Sequence, residues 1–173
     1  VELSTARGGK VLAVQTFVGI GQLVYGSDGT TAWERTTSAG GSESHALITH
    51  TVLATRVRQI NWLEWLTTLP RFTSELEVVG EARFDGQECW QMRAVHPNGR
   101  DEQVFFSRTT HRPVGRRTLE PTGSGGGATI DVYFRDWQPA GDLLLFRRVT
   151  FDRGGTAVEL IIDRIDLDGV PAT

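Results

Sequence analysis

Leu53-Ala54-Thr55-Arg56-Val57-Arg58-Gln59-Ile60-Asn61-Trp62-Leu63-Glu64-Trp65-Leu66-Thr67-Thr68-Leu69 is the one long run in this chain that reads as helix. Leu53, Val57 and Ile60 recur at helical spacing, and Trp62, Trp65, Leu66 and Leu69 continue the apolar stripe until Pro70 stops it. Asn61, followed three residues later by Glu64, has the form of a fresh N-cap, so the spacing predicts two short helices meeting near Asn61. Left in water, their tryptophans and leucines would be an aggregation hazard. The cover has to be a sheet, because the rest of the chain reads as short strands and turns.

Working outward, Lys10 to Val18 and Gln22 to Tyr25 read as strands joined by a tight or bulged turn at Gly19-Ile20-Gly21. Val1-Glu2-Leu3 reads as the inside of an earlier strand. Ser27-Asp28-Gly29 turns the chain into Thr31 to Arg35, centred on Trp33, and Thr36 to Ser44 reads as a loop. After Pro70 come Leu76 to Phe84, Glu88 to Val95, Asp101 to Ser107 and Val114 to Leu119, with turns at Asp85-Gly86 and Pro97-Asn98-Gly99. In Glu88 to Val95, Trp90, Met92 and Ala94 fall on one face and Gln91 and Arg93 on the other, the alternation of a sheet with one buried side. Gly123 to Gly127 is a flexible connection. Three more strands are predicted near Thr129 to Trp137, Leu143 to Phe151 and Thr156 to Leu167, with a turn at Pro139-Ala140-Gly141-Asp142 and a bulge near Asp163 where the last strand changes phase. Nine or ten antiparallel strands interrupted once by helix predict a mainly β fold: a strongly curved sheet or incomplete barrel with the helical pair on its concave face.

The 173 residues fit one domain with a sizeable core. The net charge is -3, and the basic residues, all arginine except Lys10, are scattered, which leaves no electrostatic footprint for nucleic acid. The single Cys89 excludes an internal disulfide. No run of eighteen apolar residues is present.

The order of motifs resembles the periplasmic lipoprotein-carrier family of the outer-membrane lipoprotein-sorting type. The matching pieces are Val18-Gly19-Ile20-Gly21, Tyr25-Gly26-Ser27-Asp28-Gly29-Thr30-Thr31-Ala32-Trp33, Val78-Val79-Gly80-Glu81, Phe84-Asp85-Gly86-Gln87-Glu88-Cys89-Trp90, Phe105-Phe106 and Phe134-Arg135-Asp136-Trp137. The resemblance implies an unclosed antiparallel barrel closed by helices, a non-enzymatic carrier of acyl chains, and a location in the periplasm or cell envelope of a bacterium, with any membrane attachment upstream of Val1. Two departures stand out. The family's first helix and strand would lie before Val1, so residues 1–173 are expected to form a single carrier-like domain without them. The family's Pro after the turn is missing from Gly141-Asp142-Leu143-Leu144-Leu145-Phe146.

The candidate ligand surface is Trp33, Trp62, Leu63, Trp65, Leu66, Trp90, Met92, Phe106, Val132 and Phe134, an apolar set suited to acyl chains or equally to an ordinary core. His45, His50, His96 and His111 fit no metal-ligand spacing and read as surface or capping residues. Asp166-Leu167-Asp168-Gly169 is too short for a calcium loop. Gly19-Ile20-Gly21 lacks the strand, helix and Lys of a phosphate cradle, and no G-x-S-x-G or Cys-base pair supports covalent catalysis. No catalytic residue, metal site or cofactor is therefore expected. The expected partner is a lipid or acylated protein, held in the concavity of the half-barrel. The alternative is a structural or accessory subunit of a periplasmic or membrane complex, with a filled core and an exposed docking edge.

Overall fold

The computed structural model describes residues 2–6, 10–48, 69–71, 73–96, 101–121 and 127–165. Twelve strands are found among them: β1 (Glu2–Ala6), β2 (Lys10–Phe17), β3 (Gly21–Asp28), β4 (Ala32–Ser38), β5 (Glu43–Ile48), β6 (Glu75–Phe84), β7 (Gln87–Val95), β8 (Asp101–Ser107), β9 (Pro113–Pro121), β10 (Gly127–Ala140), β11 (Leu143–Arg153) and β12 (Thr156–Ile161). The mainly β reading holds, but the strands make two antiparallel sheets, β1 to β5 and β6 to β12, rather than one continuous curved sheet. Among the described residues neither sheet closes into a barrel, and β1, β5, β6 and β12 are edges. The break has a simple cause. Neighbours in sequence pair throughout, and residues 49–74 between β5 and β6 are far too many for a hairpin. The two sheets belong to two compact units.

The predicted helical pair, with His50, Pro97-Asn98-Gly99, most of the Gly123 to Gly127 run and Asp166 onward, lies outside the described residues. Among those described, the only helical element is the single 3-10 turn Leu69–Arg71. Three predicted boundaries are corrected. Within Thr36 to Ser44, read as a loop, only residues 39–42 turn, and a further strand, β5, follows. The Ser38 N–H donates to the Ser42 carbonyl at 2.9 Å, closing a short reversal around Gly41, whose φ of 81° suits glycine. The largely solvent-exposed β5 has no alternating apolar side to announce it. Pro139 and Ala140 are not turn residues but pair with Leu144 and Leu143 at the end of β10. The phase change near Asp163 is a strand end: β12 stops at Ile161, and the Ile162 N–H makes a last bond to the Arg147 carbonyl at 2.7 Å.

In the first unit, antiparallel register puts Leu3, Ala13, Tyr25, Val11, Ala32 and Ile48 on one face, where they cluster. The β3–β4 turn is fixed by Asp28, whose carboxylate accepts the N–H groups of Thr31 at 2.7 Å and Thr30 at 2.8 Å. Those bonds hold its carboxyl at about 2, below the usual range.

In the second unit, register divides the seven strands into two faces, named here for Trp90 and Phe84. Two bulges re-aim the pattern, at Val78/Gly80 in β6 and opposite Phe105/Phe106 in β9.

Candidate ligand-binding face

Residues paired directly across an antiparallel ladder point to the same side, so the register builds the Trp90 face row by row. One row crosses all seven strands: Val78, Met92, Val104, Arg116, Val132, Phe151 and Val158. The adjacent rows pair Trp90 with Phe106 and Phe134 with Val149. Val104, Val132, Phe134 and Val149 are buried, whereas Met92 and Phe106 are half-buried and Trp90 is 39% exposed. The Arg108 guanidinium stands 5.1 Å over the Trp90 ring and is held there by Glu81 at 2.7 Å, which gives the apolar floor a polar rim.

Arg116 interrupts the apolar row, and its charge is met in the next row, which runs Leu76, Ala94, Glu102, Thr118 and Ile130. Glu102 is only 2% exposed and takes two partners: Arg116 Nη1 donates to Oε1 at 2.8 Å, and His96 Nε2 donates to Oε2 at 3.0 Å. Burial pushes the Glu102 carboxyl up, but the His96 hydrogen bond and the Arg116 charge and hydrogen bond outweigh it and hold the group at about 2. A buried carboxylate with both oxygens occupied is the arrangement that lets a charge persist on an apolar face.

The Phe84 face is closed by its own side chains. Phe84 stacks on Phe105 with ring centroids 4.1 Å apart and on Tyr133 at 5.2 Å, over buried Cys89 and Val114. Arg117 lies 5.7 Å above the Phe84 ring and grips Asp131 with two bonds of 2.7 Å. Arg135 lies 4.8 Å from the Tyr133 ring and grips Asp85, in the β6–β7 turn, at 3.0 and 2.6 Å. Gly115 makes the stack possible: a Cβ there would strike the Val132 carbonyl and stand 2.7 Å from the Phe84 ring. Burial pushes the Cys89 thiol up. A shallow cleft lies beside the β11–β12 turn, lined by Ala128, Thr129, Asp131 and Asp152, but Asp131 is taken by Arg117, and Asp152 accepts the Gly155 N–H at 2.9 Å.

Of the ten residues the sequence singled out, Trp90, Met92, Phe106, Val132 and Phe134 stand together on the Trp90 face. Trp33 does not join them there; it is in the first unit, on the face opposite that sheet's buried cluster, with its ring laid over Gly26, where a Cβ would stand 2.5 Å from it. Trp62, Leu63, Trp65 and Leu66 lie outside the described residues. His96, read from sequence as a surface or capping residue, is instead buried against Glu102. The signal for that ion cluster was present: Glu102 shares strand parity with Val104 and Phe106, so a charge was placed on an apolar side, where a partner is required.

No family model matches the chain, and no curated protein matches it. Among solved structures, it is similar to an outer membrane lipoprotein-sorting protein domain from Vibrio parahaemolyticus, the family type that the sequence motifs resemble. That alignment has a TM-score of 0.46 and 12% identity, and covers 90% of this chain and 75% of that one. The chain is also similar to a DUF1329 family protein from Desulfovibrio piger, with a TM-score of 0.44 and 9% identity over 83% of this chain and 69% of that one.

Proposed function

We propose that this chain is a non-enzymatic protein of the bacterial cell envelope that binds a lipid or an acylated ligand on the Trp90 face of its seven-stranded sheet. The observation that carries the reading is the placement of Trp90, Met92, Phe106, Val132 and Phe134 on one face, with the aromatic end still partly open to solvent. Such a surface suits an acyl chain, because each methylene buried there contributes about 0.8 kcal/mol without demanding a directional partner. Arg108 at the rim, beside Trp90, is the group a polar or anionic head would meet first. Trp90→Glu places a charge at the mouth of this surface at a position solvent already reaches. Titration with a fluorescent fatty acid should show binding by the wild-type chain and at least tenfold weaker binding by Trp90→Glu. Equal affinity in a folded variant would remove the Trp90 face from the proposal.

A second reading has its own observation. The edge strand β6 presents Leu76, Val78 and Val79 to solvent, Val78 at 71% exposure, beside a ladder edge that no other described strand pairs. An accessory subunit would use such an edge to add a partner's strand. Val79→Lys, at the β6 bulge and outside the rows of the Trp90 face, would then release the chain from complexes recovered in gentle detergent while leaving fatty-acid binding unchanged.

A further inference from the structure

The β2–β3 turn in the first unit carries three large apolar side chains outward. Val18 is 97% exposed, Ile20 72% and Phe17 47%. The turn holding them is stiff. The Ile20 N–H donates to the Phe17 carbonyl at 3.0 Å, and the Ala39 N–H, from the neighbouring β4–β5 turn, donates to the Ile20 carbonyl at 2.7 Å. Gly21, at a φ of 144°, packs so closely on the Thr37 carbonyl that no Cβ fits. Two adjacent turns are thus pinned into one tip.

This tip has no charge. None occurs between Lys10 and Asp28, or between Arg35 and Glu43, and the residues around the apolar trio are Thr16, Gln22, Ser38, Ala39, Gly40 and Ser42. We infer that the Phe17-Val18-Gly19-Ile20-Gly21 tip enters the interfacial region of a lipid bilayer, and does so without requiring anionic lipid. Size separates this from protein docking. The three side chains expose on the order of 400 Å², about half of what each partner contributes to a stable protein interface. A convex, uncharged projection whose Phe17 and Ile20 backbone groups are already bonded can enter a membrane interface, where water still reaches the remaining turn amides. The inference rests on the first unit alone and does not depend on acyl-ligand binding by the second.

The test uses the 173-residue chain and sedimentation with phosphatidylcholine vesicles. Cys89 is fully buried, so Val18→Cys also offers a selective site for an environment-sensitive dye. The expected result is co-sedimentation with neutral vesicles, a blue shift of the dye on their addition, and at least a tenfold loss of binding in the Val18→Asp/Ile20→Asp double variant with an unchanged far-ultraviolet circular dichroism spectrum. No co-sedimentation and no dye shift would overturn the inference. Binding that appears only with anionic lipid and survives in the double variant would also overturn it, by moving the contact elsewhere. So would self-association of the wild type that the double variant abolishes, which would make the tip's partner a second copy of the chain.

Discussion

On the Phe84 face of the seven-stranded sheet, the chain covers its own aromatic rings: Phe105 and Tyr133 stack on Phe84, and Arg117 and Arg135, each clamped by an aspartate, lie over the rings. The opposite face is organised otherwise. A row of valines, Met92 and Phe151 runs from edge to edge, broken by Arg116, whose charge meets the buried Glu102 that also binds His96, and Trp90 stays partly in water under Arg108. One face spends its polar groups as a lid over aromatics, the other sinks an ion cluster into the sheet and leaves Trp90 partly open to water beside a polar rim. The two faces of one sheet therefore differ in what they can offer a ligand, although their strands are the same.

The comparison breaks most severely at Glu102. Replacing it with Leu takes from buried His96 and half-buried Arg116 the carboxylate they share, and the expected loss is about 3 to 5 kcal/mol in urea unfolding. The same cluster sets an acid limit. Because the folded pKa of Glu102 is depressed to about 2 from an ordinary 4.5, its contribution is present above pH 4.5 and lost as pH falls toward 2. Wild-type stability should decline across that window, and the Glu102→Gln chain should show a shallower decline. A smaller effect is expected on the other face, where Gly115→Ala forces the Phe84 ring and the Val132 carbonyl apart at about 1 to 3 kcal/mol. The smallest is Arg117→Ala, which removes a half-exposed ion pair and a ring contact and should cost about 1 kcal/mol or less, with the difference from wild type narrowing in high salt.

Much of this was legible in the residues. The parity of Trp90, Met92 and Ala94 against Gln91 and Arg93 announced a strand with two unlike faces, the turn at Asp85-Gly86 fixed its register against β6, and the alternation of Val132 and Phe134 in β10 put them on one side. Other features were not, for physical reasons. Strand β5 is solvated on nearly every residue, so no hydrophobic period marks it. Whether twelve strands make one sheet or two depends on which edges pair, a non-local choice that alternation does not encode. Trp33 was grouped with the other aromatics by residue type alone, and only the pairing of its strand with Gly26 shows that it packs on a different sheet.

The central claim is that the Trp90 face holds an acyl chain, and native mass spectrometry of the chain purified from its own membranes under gentle detergent tests it most directly. The account predicts a lipid-sized mass that stays with the wild-type chain and is absent from Trp90→Glu. A wild-type chain that arrives bare of lipid while bound to other subunits would contradict it and leave the docking edge of β6 as the functional surface.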